Sequence, residues 1–200
     1  MGRLTERAMQ GAERRLKRWT RLEYERLIEK AVFVPGDRVE LIDGLLLVAE
    51  SQSASHYTAI GLVAQALGRA FGEGWQIRIQ APIALDDASE PEPDVAVVRG
   101  GPRDYADAHP AEPVLVVEVT LTTLELDRTH KSSLYARAGR PEYWIVDLVD
   151  RVLEVRRDPA ASPAAAYGWD YATVETLGPA SVVCPLAVPT TSILVADLLP

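Results

Sequence analysis

The sequence predicts a mixed α/β fold in which helices flank a central β-sheet. Two β-branched runs near the middle of the chain, at 95–98 and 114–119, do not alternate with polar residues. Such runs are typical of strands that are buried on both faces. Segments with helical spacing stand on either side of them, at 56–71 and 127–138. This order of helices, a hairpin and further strands predicts a mixed sheet at the centre of the domain.

Length and composition are those of an ordinary globular protein. Two hundred residues can bury a substantial core, and 48% apolar and 25% charged residues are usual proportions. No apolar run approaches the roughly 20 residues of a membrane helix, and the basic N-terminus lacks the apolar centre of a secretory signal. The single Cys184 excludes an internal disulfide framework and a cysteine-rich zinc site. We therefore expect a cytoplasmic protein.

The charge balance bears on nucleic-acid partners. A net charge of −8 and a pI near 5.0 argue against a protein that coats nucleic acid without specificity. Residues 1–18 are rich in arginine and lysine. We expect this segment to be a flexible basic arm, either solvated or reaching phosphate groups, and residues 19–200 to form a single domain.

The first part of the domain predicts a helix, a hairpin and a second helix. Thr20 and Glu23 have the spacing of a capping box at a helix start. The Asp43-Gly44 dipeptide lies between two apolar runs, which predicts a two-residue hairpin turn. Apolar residues recur at steps of three and four over 56–71, which predicts an amphipathic helix.

The later elements follow from alternation and from helix-ending residues. Residues 75–80 alternate and predict a strand. Asp127 is the expected N-cap of a helix that ends at Gly139. Residues 142–147 and 151–156 then predict a hairpin in the core, before short extended segments and a last helical turn.

Two acidic residues stand at the ends of the buried strands. Asp94 precedes one strand and Glu118 lies near the end of the other. Taken singly, each is most simply a solvated or paired charge, because an isolated buried carboxylate is costly. If the two strands are adjacent, the carboxylates meet and form a site for a hard divalent cation. Lys131 on the next helix could then orient a water or stabilise charge on a phosphate, or it could simply pair with Asp127 on the helix surface.

The chain resembles the PD-(D/E)xK nuclease superfamily and, within it, the Uma-two (Uma2) type of restriction-endonuclease-like proteins. The resemblance spans Trp19 to Val155 and is strongest from Glu118 to Asp147. That part includes Leu-Tyr-Ala-Arg-Ala-Gly at 134–139 and Pro-Glu-Tyr-Trp at 141–144. The resemblance implies a restriction-endonuclease-like core, with helices flanking a central mixed sheet.

The resemblance also implies roles for particular residues. Asp94 and Glu118 match the metal ligands, and Glu40 matches an early glutamate that completes the site directly or through water. Without the resemblance, Glu40 would be an exposed cross-strand partner. The superfamily usually carries a lysine two residues after the glutamate, but this position is Thr120. In this branch the lysine moves to the following helix, which points to Lys131.

Three further residues are candidates for support of the site. Tyr135 is one turn from Lys131 and could reach the end of the Glu118 strand. Gln80 either donates a hydrogen bond near the metal or belongs to a solvent-facing row. His56 either assists the site or is a structural histidine at a helix start.

The predicted function is hydrolysis of DNA phosphodiester bonds by an endonuclease that uses Mg²⁺ or Mn²⁺. A homodimer is expected, because two cuts on antiparallel strands suit two-fold symmetry. The alternative is a catalytically inactive nuclease-fold protein that binds a partner or acts as a scaffold, which Thr120 and the negative net charge favour. A glycosidase that uses paired acids is a third interpretation.

Overall fold

A computed structural model describes residues 16–48 and 52–200. Its elements, in chain order, are α1 (Arg21–Glu29), β1 (Val39–Ile42), β2 (Leu45–Val48), α2 (Ala54–Phe71), β3 (Trp75–Ile79), β4 (Val95–Arg99), a 3₁₀ turn (Pro102–Tyr105), β5 (Leu115–Thr120), α3 (Leu124–Leu126), a π turn (Asp127–Lys131), α4 (Ser132–Arg137), β6 (Glu142–Asp147), β7 (Val152–Ala161), β8 (Trp169–Leu177), β9 (Val182–Val183), β10 (Ile193–Leu194) and a second 3₁₀ turn (Val195–Leu198).

Six of these strands form one mixed sheet in the order β3-β4-β5-β6-β7-β8. Strands β5 and β6 are parallel, and the other neighbouring pairs are antiparallel. A parallel pair needs a crossover connection, which the helical segment 124–137 supplies here. The predicted fold class, a mixed α/β fold with a central mixed sheet, is confirmed.

The central strands are buried on both faces, which explains their unbroken apolar runs. Alternate side chains of β5 point to opposite sides of the sheet. Val117 packs with α2 in one core cluster, whereas Val116 packs with Tyr135 of α4 in another. Each such side chain, when fully buried, stabilises the fold by roughly 1.5–3 kcal/mol. Glu118 lies two residues after Val116 and therefore shares the α4 face.

Helix α2 covers the other face, as its periodicity predicts. The Ser53 side chain accepts a hydrogen bond from the His56 backbone N–H and caps the first turn. The helix begins two residues before the predicted start, at Ala54, and Gly72 follows its last turn with a φ of 67°. His56 is thereby fixed at the end of α2 that lies beside Asp94.

Local chemistry sets the first helix and the hairpin. Thr20 and Glu23 form the predicted capping box at the start of α1. Asp43 and Gly44 have φ values of 47° and 78°. Positive φ at both central residues is what a type I′ hairpin turn requires, so the predicted hairpin is confirmed.

Long-range contacts hold this hairpin against the domain. Leu41 exchanges two backbone hydrogen bonds with Glu90, at 3.3 and 2.7 Å. Arg137 of α4 donates to the Asp43 carboxylate at 2.7 Å. These contacts bring β1, with Glu40 in it, next to the α4 side of the sheet.

The segment that carries Lys131 differs from the predicted helix. It begins at Leu124, and Asp127 has helical backbone angles with its N–H bonded to the Thr123 carbonyl at 3.0 Å. The predicted N-cap role of Asp127 is therefore wrong, because the chain turns into the helix one turn earlier. A π turn follows, in which the Ser132 N–H donates to the carbonyl of Asp127, five residues before it.

Within residues 16–48 and 52–200, no helix has both the length and the apolar character needed to cross a bilayer. Most of the predicted arm, residues 1–18, lies outside the described part of the chain. At its described end, Lys17 contacts Glu23 at 2.7 Å and Arg18 contacts Asp43 at 2.8 Å.

Candidate functional site

The carboxylates of Asp94 and Glu118 meet where the neighbouring strands β4 and β5 begin and end. Val95 pairs with Val117 across β4 and β5, so Asp94 lies opposite Glu118 at the next position. The Val119 N–H donates to Asp94 Oδ2 at 2.9 Å. The Asp94 N–H lies 3.4 Å from Glu118 Oε2. Backbone groups of both strands therefore orient the two acids toward each other.

Lys131 brings an ammonium group to this pair. Its Nζ is 2.9 Å from Glu118 Oε1 and 3.9 Å from Glu40 Oε2. The lysine side chain is only 13% exposed, so the alternative of a surface pair with Asp127 is wrong. Burial opposes the charge on Lys131, but Glu118, Glu40 and Asp127 outweigh it and raise the pKa of the lysine. Lys131 is therefore a fixed positive charge.

Glu118 is the most strongly perturbed acid of the site. The Tyr135 hydroxyl donates to Glu118 Oε1 at 2.8 Å, which places this candidate in direct contact with the carboxylate. Burial raises the pKa of Glu118 to about 8, Lys131 offsets part of this rise, and Asp94 adds to it. The buried acids of the site thus outnumber the single Lys131 ammonium, and a divalent cation beside Asp94 and Glu118 would supply further positive charge.

Asp94, in contrast, is held in its ionised form. Burial opposes ionisation, but hydrogen bonds from His56 and Val119 and the charge of Lys131 together lower the pKa of Asp94. His56 Nε2 lies 3.1 Å from Oδ2. Gln80 has a φ of 45° and donates to Oδ1 at 3.2 Å. Gln80 therefore donates a hydrogen bond at the site, which is the first of its two interpretations.

Glu40 reaches the site from the hairpin. It is buried, and its Oε2 accepts the Glu92 N–H at 3.3 Å, so the interpretation as an exposed cross-strand residue is wrong. In the described part of the chain, no three His, Cys, Asp or Glu side chains are close enough to hold an ion together. Asp94 and Glu118 form a two-carboxylate site, which suits Mg²⁺ because this ion keeps several waters. The residues present therefore fit a hydrated divalent cation.

Asp127 also belongs to this environment, although its sequence position indicated only a cap or a surface partner. The residue is 2% exposed, and Thr123 Oγ1 donates to Asp127 Oδ2 at 2.9 Å. Burial raises the pKa of Asp127, and the charge of Lys131 opposes that rise. The available signal was the spacing, because a residue four positions before Lys131 shares its helix face.

Comparison with known families identifies the chain. Residues 22–196 match the Uma2 family, which is described as Putative restriction endonuclease. The chain belongs to the Uma2 family. The resemblance inferred from the sequence is therefore confirmed, and the Asp94–Glu118 site lies inside the matched region of this Uma2 protein.

A solved structure has the same fold as this Uma2 protein. It is a putative nuclease belonging to DUF820 from Anabaena variabilis ATCC 29413, with a TM-score of 0.64 and 14% sequence identity. The match covers 86% of this chain and 96% of the other. At this identity the likeness shows the fold alone. A comparison with curated proteins found no match. Family membership supports a nuclease-type function.

Proposed function

We propose that this Uma2 protein is a metal-dependent endonuclease that hydrolyses DNA phosphodiester bonds. One observation carries the proposal: Asp94 and Glu118 face each other across the neighbouring strands β4 and β5, and the Lys131 ammonium lies 2.9 Å from Glu118. Two carboxylates can hold a divalent cation, and a lysine beside them can act on a phosphate. Nuclease-type chemistry is also what membership of the Uma2 family supports.

Each side chain has a distinct part in the proposed reaction. Asp94 and Glu118 would hold Mg²⁺ or Mn²⁺, and the ion would supply Lewis-acid charge when bound. Lys131 would orient the attacking water or stabilise the negative charge that develops on the phosphate. Glu40, together with Glu118, raises the pKa of Lys131, and it would complete the ligand set through water.

Three neighbours would keep the two carboxylates in place. The Tyr135 hydroxyl fixes the Glu118 oxygen that faces Lys131. His56 and Gln80 each contact one oxygen of Asp94. Such supporting hydrogen bonds orient metal ligands and tune their basicity.

The negative net charge does not argue against DNA as strongly as the sequence suggested. Eight acidic residues of the described part are buried, and only one arginine is. The buried acids are Glu40, Glu90, Asp94, Glu118, Asp127, Glu142, Asp147 and Glu154. The net charge of −8 therefore overstates the negative charge of the exposed surface.

Cleavage and metal binding, measured side by side, test the proposal. Purified protein is incubated with supercoiled and linear DNA in Mg²⁺, in Mn²⁺ and in a chelator, and ion binding is followed by calorimetry. Asp94→Ala should abolish cleavage and weaken ion binding, because it removes one of two carboxylate ligands. Asp107→Ala removes an exposed carboxylate and serves as the matched control.

The outcomes separate the proposed nuclease from its alternative. The proposal fails if the wild type cleaves no DNA with either ion and Asp94→Ala leaves ion affinity unchanged. Ion binding through Asp94 without cleavage would instead favour the inactive nuclease-fold protein.

A further inference from the structure

The helix that carries Lys131 is interrupted by a π turn, and the sheet fixes this turn in place. The turn spans Asp127–Lys131, and π turns are frequent at functional sites because they re-aim side chains within a helix. The carbonyl of Asp127 accepts two hydrogen bonds, one from the Ser132 N–H and one from the Tyr143 hydroxyl at 3.2 Å. Tyr143 is a fully buried residue of β6. These hydrogen bonds to the Asp127 backbone therefore fix the point from which the Lys131 side chain projects from the helix.

The side chain of Asp127 is anchored toward the strand that carries Glu118. Its Oδ2 accepts a hydrogen bond from Thr123 Oγ1 at 2.9 Å, and that hydroxyl lies 3.3 Å from Thr120 Oγ1. Thr120 is fully buried and stands two residues after Glu118 on β5. The short chain of hydroxyls thus links the Asp127 carboxylate to the end of β5.

Asp127 is a buried acid that is neither a proposed metal ligand nor a group that acts on the phosphate. An uncompensated buried carboxylate is costly, so a positive charge must act on it. Lys131 supplies that charge from one helical turn away, while its ammonium lies 2.9 Å from Glu118 Oε1 and 3.9 Å from Glu40 Oε2. The Asp127 carboxylate therefore attracts the lysine from the helix side, and Glu118 accepts a hydrogen bond from it on the sheet side.

We propose that Asp127 is a positioning residue that holds the Lys131 ammonium against Glu118, through its charge and through the π turn. The Asp127 side chain is hydrogen-bonded to Thr123 and is not one of the proposed metal ligands, Asp94 and Glu118. The consequence for cleavage rests on the proposed function, whereas the consequence for the lysine does not. The two can therefore be tested separately.

The first measurement follows the lysine directly. The chain has three lysines, Lys17, Lys30 and Lys131, so a ¹⁵N-lysine sample gives few ammonium signals. The signal of Lys131 should be the slowest to exchange with water, because its side chain is 13% exposed and its ammonium donates a hydrogen bond to Glu118. Asp127→Asn keeps the shape and removes the charge, and it should speed this exchange about tenfold.

Two controls separate positioning from a general loss of stability. Glu125→Gln removes a charge from the exposed face of the same helical segment and should leave the exchange of Lys131 unchanged. The backbone amide of Val117, in the core of β5, reports global opening. If Asp127→Asn leaves Lys131 as slow as Glu125→Gln does, or speeds Val117 by the same factor, the proposal is overturned.

The second measurement uses cleavage. Asp127→Asn should lower kcat about tenfold and leave KM unchanged, because the lysine acts on developing charge and not on substrate binding. A rise in KM with unchanged kcat would overturn the positioning role. Should Asp127→Asn not fold, Thr123→Val removes the hydroxyl that holds the carboxylate, and exchange at Lys131 as slow as in the wild type overturns the proposal. If the wild type cleaves no DNA, the proposed function fails, and the exchange measurement still decides the role of Asp127.

Discussion

Divalent-ion binding by this Uma2 protein should depend steeply on pH, because the ion and a proton compete for Glu118. Burial raises the pKa of Glu118 to about 8, whereas the pKa of Asp94 is lowered. Asp94 is therefore ready to bind an ion at neutral pH, but Glu118 must first lose its proton. Binding below about pH 8 should thus release one proton for each ion.

The size of the effect follows from the pKa of Glu118. Below about pH 8, each fall of one pH unit should weaken the affinity for the divalent ion about tenfold, which is about 1.4 kcal/mol. Affinity for Mg²⁺ near pH 7 should therefore be about tenfold below its plateau, and near pH 6 about a hundredfold below it. Above pH 8 the carboxylate is already ionised, so the affinity should stay constant.

Calorimetric titration at several pH values measures both quantities. Repeating each titration in two buffers with different ionisation enthalpies gives the number of protons released. We expect about one proton near pH 6 and almost none near pH 9. Glu118→Gln should bind the ion more weakly and with no proton release. An affinity that stays flat between pH 6 and pH 8, without proton release, would refute the assignment of Glu118 as a perturbed ligand.

Three further predictions concern stability and assembly. Burial raises the pKa of Glu90 to about 7, from an unfolded value near 4.5. The stability that neutral Glu90 contributes is thus fully present below about pH 4.5 and is lost as the pH rises through 7. Glu90→Gln should therefore raise the free energy of unfolding by about 1–3 kcal/mol near pH 8 and change it little near pH 4.5. Urea titration at both pH values measures this. Arg137→Ala removes the 2.7 Å contact to Asp43, so it should lower the unfolding free energy by about 1–3 kcal/mol. It should also impair cleavage, because the contact holds the hairpin that carries Glu40 against the site. Arg103 is exposed, so Arg103→Ala is the control, and equal losses in both variants would contradict a stabilising role of the Arg137–Asp43 contact. Light scattering after size exclusion should give twice the chain mass of 21.9 kDa, and a 21.9 kDa particle would contradict the homodimer.

Much of the fold follows from local patterns that the sequence displays directly. The Asp43-Gly44 turn could be predicted because few dipeptides accept two positive φ values in succession. The central strands could be predicted because β5 is buried on both faces. Its sequence therefore lacks the alternating polar residues of a half-exposed strand. The acids of the site were suggested by their place at strand ends and by the family resemblance.

The position of Asp127 could not be predicted in the same way. A cap is recognised by its place before an apolar run, and the path from β5 into the helix moved the helix start to Leu124. Gln80 remained open because its role depends on a positive φ, which an alternating pattern does not reveal. In both residues the deciding variable is a backbone turn that distant packing imposes.

The sequence by itself determined the types and order of the elements, because hydrophobic period and turn chemistry act over a few residues. Only the tertiary structure decided that Asp94 faces Glu118, that Lys131 is buried against them and that Glu40 reaches the same place. These residues come from separate elements, and their distances depend on strand register and on the docking of a hairpin. Register and docking are set by the packed core as a whole, so no single stretch of the chain encodes them.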